Sequence, residues 1–316
     1  MDGRMVISEP QMQGRLAGGL MVEHAAQMSP QYQSELTRTL LISADTELLG
    51  AAMYYPALVS GQVPERMRAS VLAIIQDELG HAHIDYRMLE DLGQDPEQLL
   101  YGRAPHEFKH PYAMDMPYES FPEIVVVGAF MDRAGYVLLS DIYESTSYAP
   151  WRRALVKVNK EEHFHINFGV RNLERLARDA ALRPVTQRAI DWMFPMTVEW
   201  FGLPDSLKTG GNQLRYRLKS KTNDELRQEW LGQVVPLMRQ LGFTVPAHWD
   251  DASQAYAFDF PLPCTFDAQA KRWDFQSPCR WDDVIARWRG RGPWNQTLVD
   301  ILQSGRHGLD RLRLAS

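Results

Sequence analysis

Cysteine is nearly missing: the chain of 316 residues has two, Cys264 and Cys279. Two thiols build neither a disulfide framework nor a four-cysteine metal cluster, which points to a reducing compartment, with the cytoplasm as the default. Long apolar runs are also missing. The longest, Ile124 to Met131, falls far short of the roughly 20 residues a membrane-spanning helix needs, so no membrane association is expected. Positive charge is not in excess either. With 34 Lys and Arg against 40 Asp and Glu, the net charge is −6, and no global field attracts a phosphate backbone; nucleic acid is not an expected partner. The first residues mix Asp2, Arg4, Glu9 and Arg15 with scattered apolar ones, without the basic start and apolar run of a secretory signal. What is present, 45% hydrophobic and 23% charged side chains, suits a folded chain with a large core.

From Ser29 to Gly202 the periodicity predicts long amphipathic helices punctuated by Pro and Gly. The first opens at Ser29-Pro30 and is expected to end at Tyr55, before Pro56. The second runs from Pro64 to Leu92, closed by Gly93; the third from Ser120 to Glu144; the fourth from Pro150 to Ala180. Arg183 to Phe201 reads as helical with a break at Pro195. A capping box at Thr222 to Glu225 starts a helix ending near Leu241, and beyond Gly242 periodicity is lost apart from short helices at Trp281 to Trp288 and Pro293 to Leu302. The predicted organisation is an N-terminal segment (1–28), a helical bundle (29–202) and a C-terminal extension (203–316).

Acidic residues on these helices repeat. The second helix contains Glu78-Leu79-Gly80-His81 and the fourth Glu162-His163-Phe164-His165. Positions i and i+3 share a helix face, so each Glu-x-x-His presents a carboxylate and an imidazole in one direction. Val71, Ile74 and Met88 lie on the stripe of Glu78, and Leu155, Val158 and Ile166 on that of Glu162, so these faces point inward. A carboxylate buried there costs several kcal/mol unless a cation or donor meets it. Each remaining helix offers one acid in an apolar stripe: Glu47 among Leu40, Ala44 and Ala51, and Asp132 among Val125, Ala129 and Leu139. Glu47 precedes Glu78 by almost the same interval as Asp132 precedes Glu162. Two antiparallel helix pairs so marked bring four carboxylates and two histidines together, the di-iron or di-manganese carboxylate arrangement of an all-α, ferritin-like four-helix bundle with additional helices and a mixed, loop-rich C-terminal extension. Imidazole and carboxylate ligands suit iron. Glu123 and Glu144 are rival acids to Asp132 on the third helix.

Metal-bound histidines donate their other ring N–H to an outer carboxylate. The spacing predicts Asp77 for His165 and Glu161 for His81, while His83 and His163 fall on other faces. Gly50, Gly128 and Gly135, each one turn from a ligand acid, leave either space beside the metals or room for close helix packing.

The chain resembles the catalytic A subunit of the multicomponent ring-1,2-phenylacetyl-CoA epoxidase, a bacterial di-iron oxygenase. The resemblance rests on Thr46-Glu47 with Gly50, Gln76-Asp77-Glu78 with Gly80-His81, Asp132, Tyr148 with Pro150, Lys160-Glu161-Glu162 with Phe164-His165, Phe201-Gly202, Asn223 to Gln228, and Gly290, Gly292-Pro293 and Asn295. It implies an O2-dependent monooxygenase that inserts one oxygen atom into the ring of an aromatic CoA thioester, with Glu47, Glu78, His81, Asp132, Glu162 and His165 as ligands of two iron ions. It also implies electrons from a flavin and iron–sulfur NAD(P)H reductase and a related metal-free helical partner chain. Two departures stand out: Ile74 replaces the family's lysine one turn before Glu78, and extra sequence lies around Ala255 to Phe275. They leave open a paralogue that acts on another CoA- or carrier-bound acyl group.

A CoA thioester needs cations for its phosphates. Arg215, Arg217, Lys219 and Lys221 form one candidate cluster, Arg103, Lys109 and His110 another; a solvated surface is the alternative for each. Trp192, Phe194, Trp200 and Phe201 line an aromatic pocket or fill the core. A ferroxidase and a scaffold protein without metal are the competing functional readings.

Overall fold

The computed structural model describes residues 7–208 and 211–314, with side chains through residue 305; Asp2 and Arg4 lie outside the described residues. In chain order the helices are α1 (Glu9–Ala17), α2 (Pro30–Val59), α3 (Glu65–Asp91), α4 (Pro96–Tyr101), α5 (Phe121–Ser145), α6 (Ala149–Arg178), α7 (Arg183–Trp200), α8 (Asn212–Arg215) and α9 (Asn223–Leu241). Four strands follow, β1 (Ala247–Asp250), β2 (Ala255–Phe258), β3 (Cys264–Asp267) and β4 (Arg272–Pro278), and then α10 (Trp281–Gly290) and α11 (Asn295–Leu314).

The long helices begin where the chain supplies acceptors for their orphan N–H groups. Ser29 accepts from Tyr32 N and Ser120 from Glu123 N, each followed by a proline in the first turn. Thr222 and Glu225 close a reciprocal capping box on α9, which ends at Gly242 in the left-handed conformation (φ 70°). Short connections make α2/α3 and α5/α6 antiparallel pairs, and the two pairs meet through α3 on α6 and α2 on α5. The result is an all-α, ferritin-like four-helix bundle. Gly128 and Gly169 let α5 and α6 approach closely: a Cβ on Gly169 would sit 2.4 Å from Ala129 N and 2.5 Å from the Gly128 carbonyl carbon.

The other elements wrap this bundle. α7 and α9 cover α5, while α1, α8 and α11 cover α2. One apolar core runs from Met12 on α1 to Val299 on α11. Among the described residues, no helix is long and apolar enough to cross a membrane.

Three expectations need correction. α2 does not stop before Pro56 but continues to Val59, and α7 passes through Pro195 without a break. A proline in a helix forfeits one hydrogen bond and costs about 3 kcal/mol. Around Pro195, Met193, Phe194, Met196 and Val198 are all buried to within 1% of full burial, and their packing outweighs that loss. The last helix also runs on to Leu314 rather than ending at Leu302. The aperiodic stretch after Gly242 folds into two antiparallel hairpins, β1/β2 and β3/β4. Each is anchored by a side chain on backbone: Gln228 of α9 exchanges two hydrogen bonds with Tyr256 (2.8 and 3.0 Å), and Trp273 Nε1 donates to the Trp192 carbonyl (2.8 Å).

The C-terminal segment returns to the bundle at Asp115, which is fully buried. Its carboxylate accepts from His110 Nε2 (2.6 Å), Gly292 N (3.0 Å) and Asn295 Nδ2 (3.0 Å) and pairs with Arg291 (2.6 Å). A Cβ on Gly292 would lie 2.5 Å from Asp115 Cβ, so this docking requires glycine.

Candidate metal centre

Each long helix of the bundle delivers part of one acidic cluster. Glu47 comes from α2, Glu78 and His81 from α3, Asp132 from α5, Glu162 and His165 from α6. Ligand atoms of Glu47, Glu78, His81 and Glu162 all lie within 4.8 Å of one another. His81 Nδ1 is 3.4 Å from both Glu47 Oε2 and Glu162 Oε1; His165 Nδ1 is 3.2 Å from Glu78 Oε1 and 3.5 Å from Glu162 Oε1. Asp132 borders the same space, a cavity of about 30 Å³ that also touches Glu47, Glu78 and Glu162, and its Oδ2 accepts from Tyr54 Oη (2.9 Å). The rival acids lie elsewhere: Glu123 caps α5 and binds Lys271 (2.7 Å), and Glu144 is exposed.

The outward nitrogens of both histidines meet carboxylates. His81 Nε2 donates to Glu161 Oε2 (3.0 Å) and His165 Nε2 to Asp77 Oδ2 (3.3 Å). In a neutral imidazole, that leaves the Nδ1 lone pair pointing inward. Both Nδ1 atoms are buried and without a hydrogen-bond partner, yet each faces carboxylate oxygens. Lone pairs aimed at carboxylates repel unless a cation stands between them. A metal ion fits the donors of Glu47, Glu78, His81 and Glu162, and Nδ1 is the imidazole atom left free to meet it.

Without metal, protons take the cation's place. Burial works against a charged imidazole, but the facing Glu162 and Glu47 push His81 up to about 12, and Glu162 and Glu78 do the same to His165. Burial would raise Glu162, yet the two imidazoles bring it down to about 2. Burial and the charge of Glu47 hold Glu78 well above the carboxylate range, and burial moves Asp132 up to about 7 despite His165.

A larger cavity of about 180 Å³ adjoins the centre; Thr46, Glu47, Gly135, Leu139 and Trp200 line both spaces. Among the cationic side chains proposed for phosphate contact, Lys219 lines this cavity and donates to Asn223 Oδ1 (3.0 Å), as does Lys208 (2.8 Å). Burial, with the nearby Lys208 charge, brings Lys219 down to about 8. Arg215 pairs with Glu9, Arg217 donates to the Leu16 carbonyl and Lys221 pairs with Glu229. Arg103 is locked on buried Asp45, whose carboxylate also accepts from Lys109 N, and His110 is spent on Asp115. Trp200 and Phe201 line the cavity, whereas Trp192 and Phe194 are core.

The glycines divide by role. A Cβ on Gly50 would come within 3.1 Å of Glu78 Oε2, one on Gly128 would strike α6, and one on Gly135 meets nothing and borders both cavities. His83 and His163 are exposed. Two residues of the site are not among those the sequence pattern singled out. Tyr54 lies two turns beyond Glu47 on α2; Asp85, one turn beyond His81, is buried, which pushes it up to about 8 against a hydrogen bond from Ser43. The signal for both was spacing: i+7 from Glu47 and i+4 from His81 continue the inward stripes.

A family model described as phenylacetic acid catabolic protein matches residues 11–270. Over 255 residues the chain is also 31% identical to the A component of the 1,2-phenylacetyl-CoA epoxidase of Escherichia coli (strain K12), a match covering 79% of this chain and 82% of that protein.

Proposed function

Because the chain belongs to the phenylacetic acid catabolic protein family, we propose that it is an O2-dependent di-iron monooxygenase that inserts one oxygen atom into the aromatic ring of a phenylacetyl-CoA-like thioester. The observation that carries this reading is the pair of unpartnered, buried Nδ1 atoms closing on Glu162 inside a ring of carboxylates, beside a cavity walled by Trp200 and Phe201. Glu47, Glu78, His81, Asp132, Glu162 and His165 would hold the two irons, the four carboxylates balancing two divalent ions. Bound, the iron pair supplies the activation of O2.

The protein's own residues do the rest. Glu161 and Asp77 hold the imidazoles in the tautomer that frees Nδ1. Tyr54 fixes the Asp132 carboxylate. The cavity of about 180 Å³ is of the scale that holds a benzene ring, roughly 150 Å³, and its shared wall at Gly135 brings a ring to the centre. Lys219, on the wall of the same cavity, supplies a cation to the thioester, while Arg215, Arg217 and Lys221 are held by partners of their own. Electrons arrive from a flavin and iron–sulfur NAD(P)H reductase, a metal-free helical partner chain completes the assembly, and the reaction belongs in the cytoplasm.

Ile74 favours a second reading within the same chemistry. It is fully buried one turn before Glu78, where the family pattern has lysine, and the alternative it raises is a paralogue acting on another CoA- or carrier-bound acyl group. The test is turnover of an aryl-acetyl-CoA panel under 18O2 by iron-loaded protein with a reductase. One labelled oxygen atom in the product supports the proposal; Fe(II) oxidation indifferent to every thioester supports a ferroxidase instead.

A further inference from the structure

The outer side of the α3/α6 seam carries a surface that the bundle itself does not need. α6 bears seven Arg and Lys against three Glu, in a chain of net charge −6. Arg153, Lys157, Lys160, Arg171 and Arg175 follow one another at helical spacing and form a single exposed stripe. Phe164 sits in the middle of it, 42% exposed, its ring in edge contact with the ring of His165 at 6.1 Å. Lys160 and Arg171 make no ion pair among the described residues, so their charge faces outward.

The α3 side of the seam is low at Gly80. Ala69 and Gln76 are exposed there and Ala73 and Gly80 are half-buried, and a Cβ on Gly80 would meet nothing within 4 Å. A glycine in a helix interior costs about 0.5–1 kcal/mol relative to alanine, and no contact among the described residues calls for it. Beneath this surface lie Glu161 and Asp77, each with about a quarter of its side chain accessible (24% and 25%). They are the carboxylates that hold the outward nitrogens of His81 and His165.

We propose that the basic stripe of α6 around Phe164, with the low face of α3 at Gly80, is the docking surface for an electron-carrier protein with an acidic surface. Charge complementarity selects the acidic partner, the exposed aromatic gives it a desolvated anchor, and the position sets the carrier against the two carboxylates that hold the site's histidines. The inference rests on the proposed function, in which electrons come from outside the chain.

The test uses the full chain without metal and a plant-type [2Fe–2S] ferredoxin as acidic probe, so loss of docking and failure to load iron are separate results. Saturable binding at low ionic strength is expected, falling steeply with added salt. Reversing the two free charges, Lys160→Glu with Arg171→Glu, should weaken it about tenfold or more. Phe164→Ala should weaken it severalfold with the helical signal and melting midpoint unchanged. Carbodiimide cross-links should map to Lys157 or Lys160. Affinity unchanged by the charge reversal, cross-links confined to another face, or a Phe164 face already covered by a second copy of the chain would overturn the proposal.

Discussion

Glu162 is where the two halves of the centre meet, since one of its oxygens lies 3.4 Å from His81 Nδ1 and 3.5 Å from His165 Nδ1. Glu162→Ala should therefore abolish binding of both metal ions and cut turnover by more than about 100-fold, with little change in far-ultraviolet circular dichroism because the apolar stripes hold the helices. Glu161→Gln, one step out, should weaken metal affinity by about 10–100-fold, read by competition with a chelator. Lys219 makes a pH-dependent prediction. Held down to about 8, it is a cation below that pH and neutral above it, so thioester affinity should fall as pH rises through 8, and Lys219→Met should flatten the profile while leaving bound iron unchanged. At this scale the meeting of the two Glu-x-x-His pairs was legible because theirs is a face-sharing pattern that needs no tertiary information. The partners of the basic residues were not: that Arg215 meets Glu9 and Arg103 meets Asp45 depends on segments far apart in sequence.

The helices place those residues through contacts that leave little slack. Where α5 crosses α6, Gly169→Ala forces a methyl onto the backbone of Gly128 and Ala129. Spreading the pair should cost about 1–3 kcal/mol, measured by chemical denaturation, and should also lower metal affinity, because Asp132 and His165 ride on the separated helices. Gly135→Ala meets no such obstruction and should leave stability unchanged while shrinking the entrance to the centre. The start of α2 and the ends of α3, α5 and α6 were readable from caps and prolines to within two residues, but Pro56 and Pro195 were overread. Local rules score the lost hydrogen bond; burial of neighbours such as Tyr54, Phe194 and Met196 decides the outcome. The two hairpins escaped because their strands are short: β1 and β2 do not alternate, β3 alternates over only four residues, and each hairpin is pinned by a distant group, Gln228 on Tyr256 and the Trp192 carbonyl on Trp273.

Across the whole molecule, Asp115 ties the C-terminal segment to the wall of the centre, next to Met114, which lines the metal-side cavity. Asp115→Ala leaves Arg291 buried without its counter-ion and should cost about 3–5 kcal/mol, with hydrogen exchange rising first in the segment from Gly292 onward. The Gly292-Pro293-Asn295 motif thus finds a structural explanation, close approach and a carboxylate to cap, that its sequence could not disclose. The proposed function turns on one arrangement of six side chains, and that arrangement is open to a single decisive look. Crystals of the chain loaded anaerobically with Fe(II) should give two anomalous peaks at the iron edge, one beside His81 Nδ1 and one beside His165 Nδ1, with Glu162 reaching both. A map with no peak between those imidazoles, or with iron bound only elsewhere on the chain, would contradict the di-iron account.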